Sequence, residues 1–119
     1  MKKISVMFAV AVFMSWAVTA FAAEGPMELP KGANASAQMH NQEGIKHWNQ
    51  GHADEALKHF EEASAADPAL GEAHFNEALA LDKLGKHGEA TMHFKAAKKN
   101  ANGNEAIINS AILNSHINH

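Results

Sequence analysis

Residues 37–70, AQMHNQEGIKHWNQGHADEALKHFEEASAADPAL, are followed without a gap by residues 71–104, GEAHFNEALALDKLGKHGEATMHFKAAKKNANGN. Laid over one another at an offset of 34, the two stretches match His40 with His74, Glu43 with Glu77, Gly51 with Gly85, Glu55 with Glu89, Ala56 with Ala90, His59 with His93, Phe60 with Phe94 and Ala63 with Ala97. That period is the length of a helix-turn-helix repeat. In each copy a first helix, over Ser36 to Gln50 and then Gly71 to Leu84, runs to a glycine suited to the left-handed turn that closes a helix. A second helix is expected over Ala53 to Ala66 and over Gly88 to Asn100. Asp54, Glu55 and Glu89 stand near its start, where the positive end of the helix dipole favours acids, and Lys98 and Lys99 stand at its far end.

On the second helices, Ala53, Ala56, Leu57, Phe60 and Ala63 fall at helical spacing on one face, and Ala90, Phe94 and Ala97 repeat it. Small Ala residues allow close approach of paired helices and each Phe fills the space between them. Pro68 breaks the chain between the copies. The stretch 104–117 opens on Asn104 and Glu105 and carries Ala106, Ile107, Ala111, Ile112 and Leu113, which predicts one closing helix over the exposed flank of the second copy. The fold class expected is all-α: an α-α superhelix of helix-turn-helix repeats with a C-terminal capping helix.

Working towards the amino terminus, residues 23–35 read AEGPMELPKGANA, and two prolines and two glycines interrupt any period. A flexible linker is the expectation. Before it, Lys2 and Lys3 precede an apolar run that ends at Ala20-Phe21-Ala22, the pattern of a cleaved secretory signal, which sets the domain plan as signal 1–22, linker 23–35 and helical domain 36–119. Localisation is then periplasmic or secreted, with no membrane attachment after cleavage. An uncleaved anchor is the competing reading, because the run approaches the roughly 17 residues that can span a bilayer.

The 119 residues include no cysteine, which excludes a disulfide framework and haem attachment through Cys-x-x-Cys-His. Without Lys2 and Lys3, eight basic residues face 13 acidic ones, a formal charge of −5 with His neutral. There is no Arg and no cationic stripe, so nucleic acid is not an expected partner. Catalysis finds no foothold either: the chain has no Cys nucleophile, no phosphate loop and no His-Glu-x-x-His. Glu61 and Glu62 are expected to face water beside Lys58.

The residues resemble the tetratricopeptide repeat family. Its small residue, turn Gly, Ala, aromatic, Ala and Pro are matched by Gly44, Gly51, Ala56, Phe60, Ala63 and Pro68, then by Ala78, Gly85, Ala90, Phe94, Ala97 and, departing from Pro, Asn102. Other departures are His40 and His74 in place of a large aromatic, and His47 where Tyr or Leu is usual; they make the inner packing more polar. The resemblance implies a concave groove for a protein or peptide partner, lined by Gln38, Asn41, Ile45, Trp48 and Asn49, then Glu72, Phe75, Asn76, Leu79, Asp82 and Lys83, then Asn109, Leu113 and His116. Within it Ile45, Trp48, Phe75, Leu79 and Leu113 form an apolar strip of hot-spot composition. The competing reading makes this strip core, covered by the amino-terminal tether folding back. A carboxylate clamp for chaperone tails is not expected, since only Asn76 of its residues is kept. Two repeats fall short of the ~3 that make a robust stack, so self-association or a standing partner is expected to supply buried area.

Nine His raise a metal question. Along one helix the spacing is unsuitable: His40 and His47 are seven residues apart, about 10.5 Å of helix axis, as are His52 and His59. Only His116 and His119 are at i, i+3, near the terminus. Pairs across helices, His40 with His59 and His74 with His93, stay open. No cofactor or built-in metal site is expected; the alternative function is a metal or haem carrier of the exported compartment. Protonation of all nine His would move the charge of −5 to +4, a further means of sensing acid.

Overall fold

The computed structural model describes residues 24–118, so the expected signal segment lies outside the described residues. Six helices follow in order: α1 (Ala35–Asn49), α2 (Ala53–Ala66), α3 (Gly71–Lys83), α4 (His87–Lys99), α5 (Glu105–Ile108) and α6 (Ala111–Ile117). No strand occurs among the described residues, and none of the helices is long and apolar enough to cross a membrane. The chain is all-α and built of packed adjacent helix pairs: α1 lies on α2, α3 on α4, and α2 on α3.

Each hairpin turns in the same way. The His52 N–H reaches back to the His47 carbonyl at 2.9 Å, as the Lys86 N–H does to Leu81 at 2.9 Å, with Gly51 and Gly85 between them at φ +84° and +83°. These are six-to-one closures around a left-handed residue, which Gly adopts without the Cβ penalty. Asn34 caps α1 by accepting from the Ala37 N–H at 3.0 Å.

Burial repeats at the same period. α2 buries Ala56, Phe60 and Ala63, and α4 buries Ala90, Phe94 and Ala97. Phe60 lies directly over Gly44 of α1, where a Cβ would overlap its ring. Phe94 meets Phe75 edge-on, with centroids 5.6 Å apart and planes at 68°. Ile107 and Leu113 complete one contiguous core, and a smaller cluster gathers Leu29, Ala37, Ala63 and Ala73.

The single closing helix is corrected to two short ones. Asn104 caps α5 through the Ala106 N–H at 2.8 Å, and Ser110 caps α6 through the Leu113 N–H at 3.1 Å. Ser and Asn side chains compete with the helical ladder for backbone donors, so a second cap inside the segment restarts it. Asn114 spans the break, donating to the Ile108 and Ser110 carbonyls at 3.0 and 2.9 Å. α6 still packs on α4.

Gly44→Ala sets two effects against each other. Ala gains about 1 kcal/mol over Gly in a helix interior, but overpacking a buried ring costs roughly 1–3 kcal/mol. Phe60 is fully enclosed and cannot withdraw, so a net lowering of the melting temperature is expected in a thermal scan, while Ala78, at the equivalent place, is accommodated already.

Candidate functional site

The inner surface of the first helices of the two hairpins is already covered by the chain itself. Residues 24–34 are not the free linker that their composition predicts: they form no helix, yet they are tied down at three places. Glu24 accepts from the Ser110 hydroxyl at 2.5 Å and from the Ile112 N–H at 3.0 Å, at the start of α6. Leu29 is buried among Ala37, Ala63 and Ala73. Between them Met27 is held by its main chain.

That hold is the work of two buried amides. Asn76, with no exposed surface, accepts from the Met27 N–H at 2.8 Å and donates to the Met27 carbonyl at 2.8 Å and to Asn41 Oδ1 at 2.7 Å. Asn41, 1% exposed, donates to the same carbonyl at 3.1 Å. Together they read one main-chain donor and one main-chain acceptor of a residue outside any helix, the groups by which an added strand is read. The Met27 side chain packs against the main core, with Sδ 3.9 Å from Asn104 Nδ2. Asn104 in turn donates to the buried Glu72 carboxylate at 2.7 Å.

The residues expected to line an open groove therefore divide. Asn41 and Asn76 face the bound segment as just described. Phe75, Leu79 and Leu113 are 1%, 2% and 0% exposed; they are core, because Met27, α5 and α6 close over the apolar strip. Ile45 and Trp48 pack on that core but stay half-buried, and the Lys83 ammonium stands 5.9 Å over the Trp48 ring. Gln38 donates to the Ala33 carbonyl at 3.1 Å. Asn49 is exposed, and so is Asn109, whose amide turns to Glu105 at 2.8 Å. Asp82 is engaged by His87 and His116, each at 2.7 Å. Met27 and Glu24 were missed: Gly and Pro around them signal a linker, and nothing in the local pattern signals a distant amide partner.

On the hairpin face the histidines cluster. His40 Nδ1 and His59 Nδ1 are 3.3 Å apart, and His74 Nδ1 and His93 Nδ1 are 3.2 Å apart, so both cross-helix pairs left open by the sequence come together. His47 stacks on His59 with centroids 5.4 Å apart and planes at 7°. Glu62 lies 2.9 Å from His40 Nδ1. Glu77 is buried, accepts from the Ser64 hydroxyl at 2.6 Å and lies 3.2 Å from His93 Nε2. Lys58 pairs with Glu55 at 3.7 Å rather than with Glu61 or Glu62. The Glu61 carboxyl sits above its ordinary range, first through partial burial and then through the charge of Glu77, against the opposing Lys86 and His93. His119 lies outside the described residues.

Compared with family models, with curated proteins and with solved structures, the chain finds no match in any of the three.

Two outcomes follow. Asn76→Ala leaves the Met27 N–H without its acceptor, and an unsatisfied buried group costs about 1–3 kcal/mol; the Met27 amide is expected to be protected from hydrogen exchange in the parent and to lose that protection in the variant. For Glu61 the sign runs towards acid: a carboxyl raised in the folded state favours folding once protonated and costs stability when ionised. Glu61→Gln is expected to raise the melting temperature slightly at pH 7, the difference closing as the pH falls below the carboxylate range.

Proposed function

We propose that the chain is a tetratricopeptide-like adaptor, an α-α superhelix of two repeats with a C-terminal cap, exported to the periplasm or secreted, which holds an extended segment of a partner protein across α1 and α3. Its role is binding, not catalysis. The observation that carries this reading is the grip of Asn41 and Asn76 on Met27, because at Met27 both amides address main-chain atoms. Any segment that lies extended at this place presents the same donor and acceptor, so affinity comes from the backbone and selectivity from the flanks. The flanks favour an acid three residues before an unbranched apolar side chain, as Glu24 stands before Met27.

Residues 24–30 are in this reading the resident occupant, which an incoming segment replaces. Short flexible tethers hold their ends at effective concentrations around the millimolar range, so a partner segment must outbind the resident or act on chains in which it is weakened. Trp48 and Ile45, half-buried against the same core that Met27 packs on, offer further apolar contact to a longer partner.

The test uses a labelled peptide of sequence EGPMELP and fluorescence anisotropy. Glu24→Ala with Met27→Gly loosens the resident without altering the amides, and this variant is expected to bind the peptide at least about tenfold more tightly than the parent, a difference of about 1.4 kcal/mol. Adding Asn76→Ala should abolish the gain. Peptide binding that is indifferent to Asn76→Ala, or absent from every variant, would falsify the reading; dimers of the loosened variant that exchange residues 24–30 would replace the partner protein by a second copy.

A further inference from the structure

We infer that each helical hairpin carries a binding site for a divalent transition-metal ion, built on its paired histidines: His40, His59 and Glu62 between α1 and α2, and His74, Glu77 and His93 between α3 and α4. This stands independently of the peptide reading, since it concerns the hairpin face and not the residues that hold Met27.

The distances carry the first part of the inference. Zinc-type ions bind imidazole nitrogen at about 2.0–2.1 Å, which places neighbouring ligand atoms of a tetrahedron about 3.3 Å apart. The Nδ1 atoms of His40 and His59 are 3.3 Å apart, and those of His74 and His93 are 3.2 Å apart. His40 Nδ1 also lies 2.9 Å from Glu62 Oε1. A ring nitrogen has one N–H or one lone pair in the ring plane and cannot serve two partners in two directions; an ion at the centre of the three atoms serves all of them. In the second hairpin one donor atom from each of His74, Glu77 and His93 lies within 4.8 Å of the other two; His93 presents Nδ1 to His74 and Nε2 to Glu77, so side chains must turn for one of its nitrogens to share an ion with both.

The surroundings carry the second part. His74 Nε2 lies 2.8 Å from the Pro68 carbonyl. A carbonyl only accepts, so Nε2 holds the proton and the neutral ring aims the Nδ1 lone pair at His93, which is the carbonyl-oriented tautomer typical of metal-bound histidine. Glu77 is a buried carboxylate whose hydrogen-bonding neighbours are the Ser64 hydroxyl and the His93 ring, with no Lys paired to it among the described residues. A buried anion calls for a countercharge. In the first hairpin, His47 Nδ1 is buried without any hydrogen-bond partner, beside Glu43 and His59. It is an unused nitrogen at the edge of the cluster, grouped with Glu43 and His59 and not with His40 and Glu62. Leu81 stands at the equivalent place in the second hairpin, and three protein ligands leave each ion a position open to solvent or to a transfer partner.

The donor set selects the ion class. Two imidazoles with one carboxylate suit zinc, copper, nickel or cobalt, whereas calcium and magnesium demand oxygen. A third cluster, Asp82, His87 and His116, differs in kind: Asp82 Oδ1 accepts both rings and His116 Nδ1 faces the Thr91 hydroxyl at 2.7 Å. Both nitrogens of His116 and Nδ1 of His87 are matched without an ion.

The experiment is isothermal titration of the full chain, stripped with a chelator, using Zn²⁺ alone, with Co²⁺ absorption as the geometric readout. Two Zn²⁺ per chain are expected at sub-micromolar affinity, together with the intense visible bands of tetrahedral Co²⁺. His59→Ala and His93→Ala should each remove one equivalent and the double variant both, while His52→Ala, outside both sites, retains two. Should either alanine variant fail to fold, the exposed Glu62→Gln is expected to weaken the first site alone by about tenfold or more, the scale on which loss of a ligand's support is felt. Absence of sub-micromolar binding, or binding that survives the double variant, overturns the inference and leaves the pairs as plain hydrogen bonds between rings.

Discussion

Each hairpin is set by one aromatic ring driven into a small-residue notch on the facing helix. Phe60 occupies the space left by Gly44, and Phe94 is enclosed with Ala78 at the equivalent place. Interior packing tolerates little slack, so this contact fixes how closely the two helices approach. The approach in turn decides what else meets: rings on the outer side of the hairpin come within hydrogen-bond distance of one another, and amides on its inner side align across α1 and α3. Binding chemistry on both faces is thus a by-product of one steric fit.

The interior that results is more polar than a minimal helical stack requires. Asn41, Ser64, Glu72, Asn76, Glu77 and Ser110 are all buried, and each has a named partner: Met27 for the two amides, Glu77 for Ser64, Asn104 for Glu72 and Glu24 for Ser110. Buried polar groups of this kind add little net stability when matched and are costly when unmatched. They act here as registration marks, admitting one alignment of the amino-terminal segment and one placement of the final helices.

Much of this architecture was legible in the sequence. The 34-residue overlay located all four long helices to within one residue at each end, because the glycine turns after α1 and α3, Pro68 between the copies and the repeated apolar stripe agree. Local signals failed where the outcome depends on a distant partner. Periodicity marks Phe75, Leu79 and Leu113 as apolar on one face but cannot say whether that face looks into a groove or into the core; Met27, far away in sequence and framed by Pro and Gly, decides it. Ser110 reads equally well as a residue inside a helix and as the cap of a new one, and only the meeting with Glu24 makes the choice visible. The histidine pairs were discernible as recurrences, yet spacing along one helix was the wrong measure for rings that meet between two.

The clasp between Glu24 and Ser110 joins positions 86 residues apart. Stacked repeats are ordinarily quasi-linear, each unit touching only its neighbours, so that the ends fray first and melting spreads inwards. Here Glu24 is fastened to α6, across the intervening hairpins, and the array is closed into a ring of contacts. Peeling away α6 requires releasing Glu24, and lifting the segment around Met27 exposes the polar centre of the stack. The two hairpins and their cap are thereby coupled through the amino-terminal segment, a link that a purely linear stack lacks.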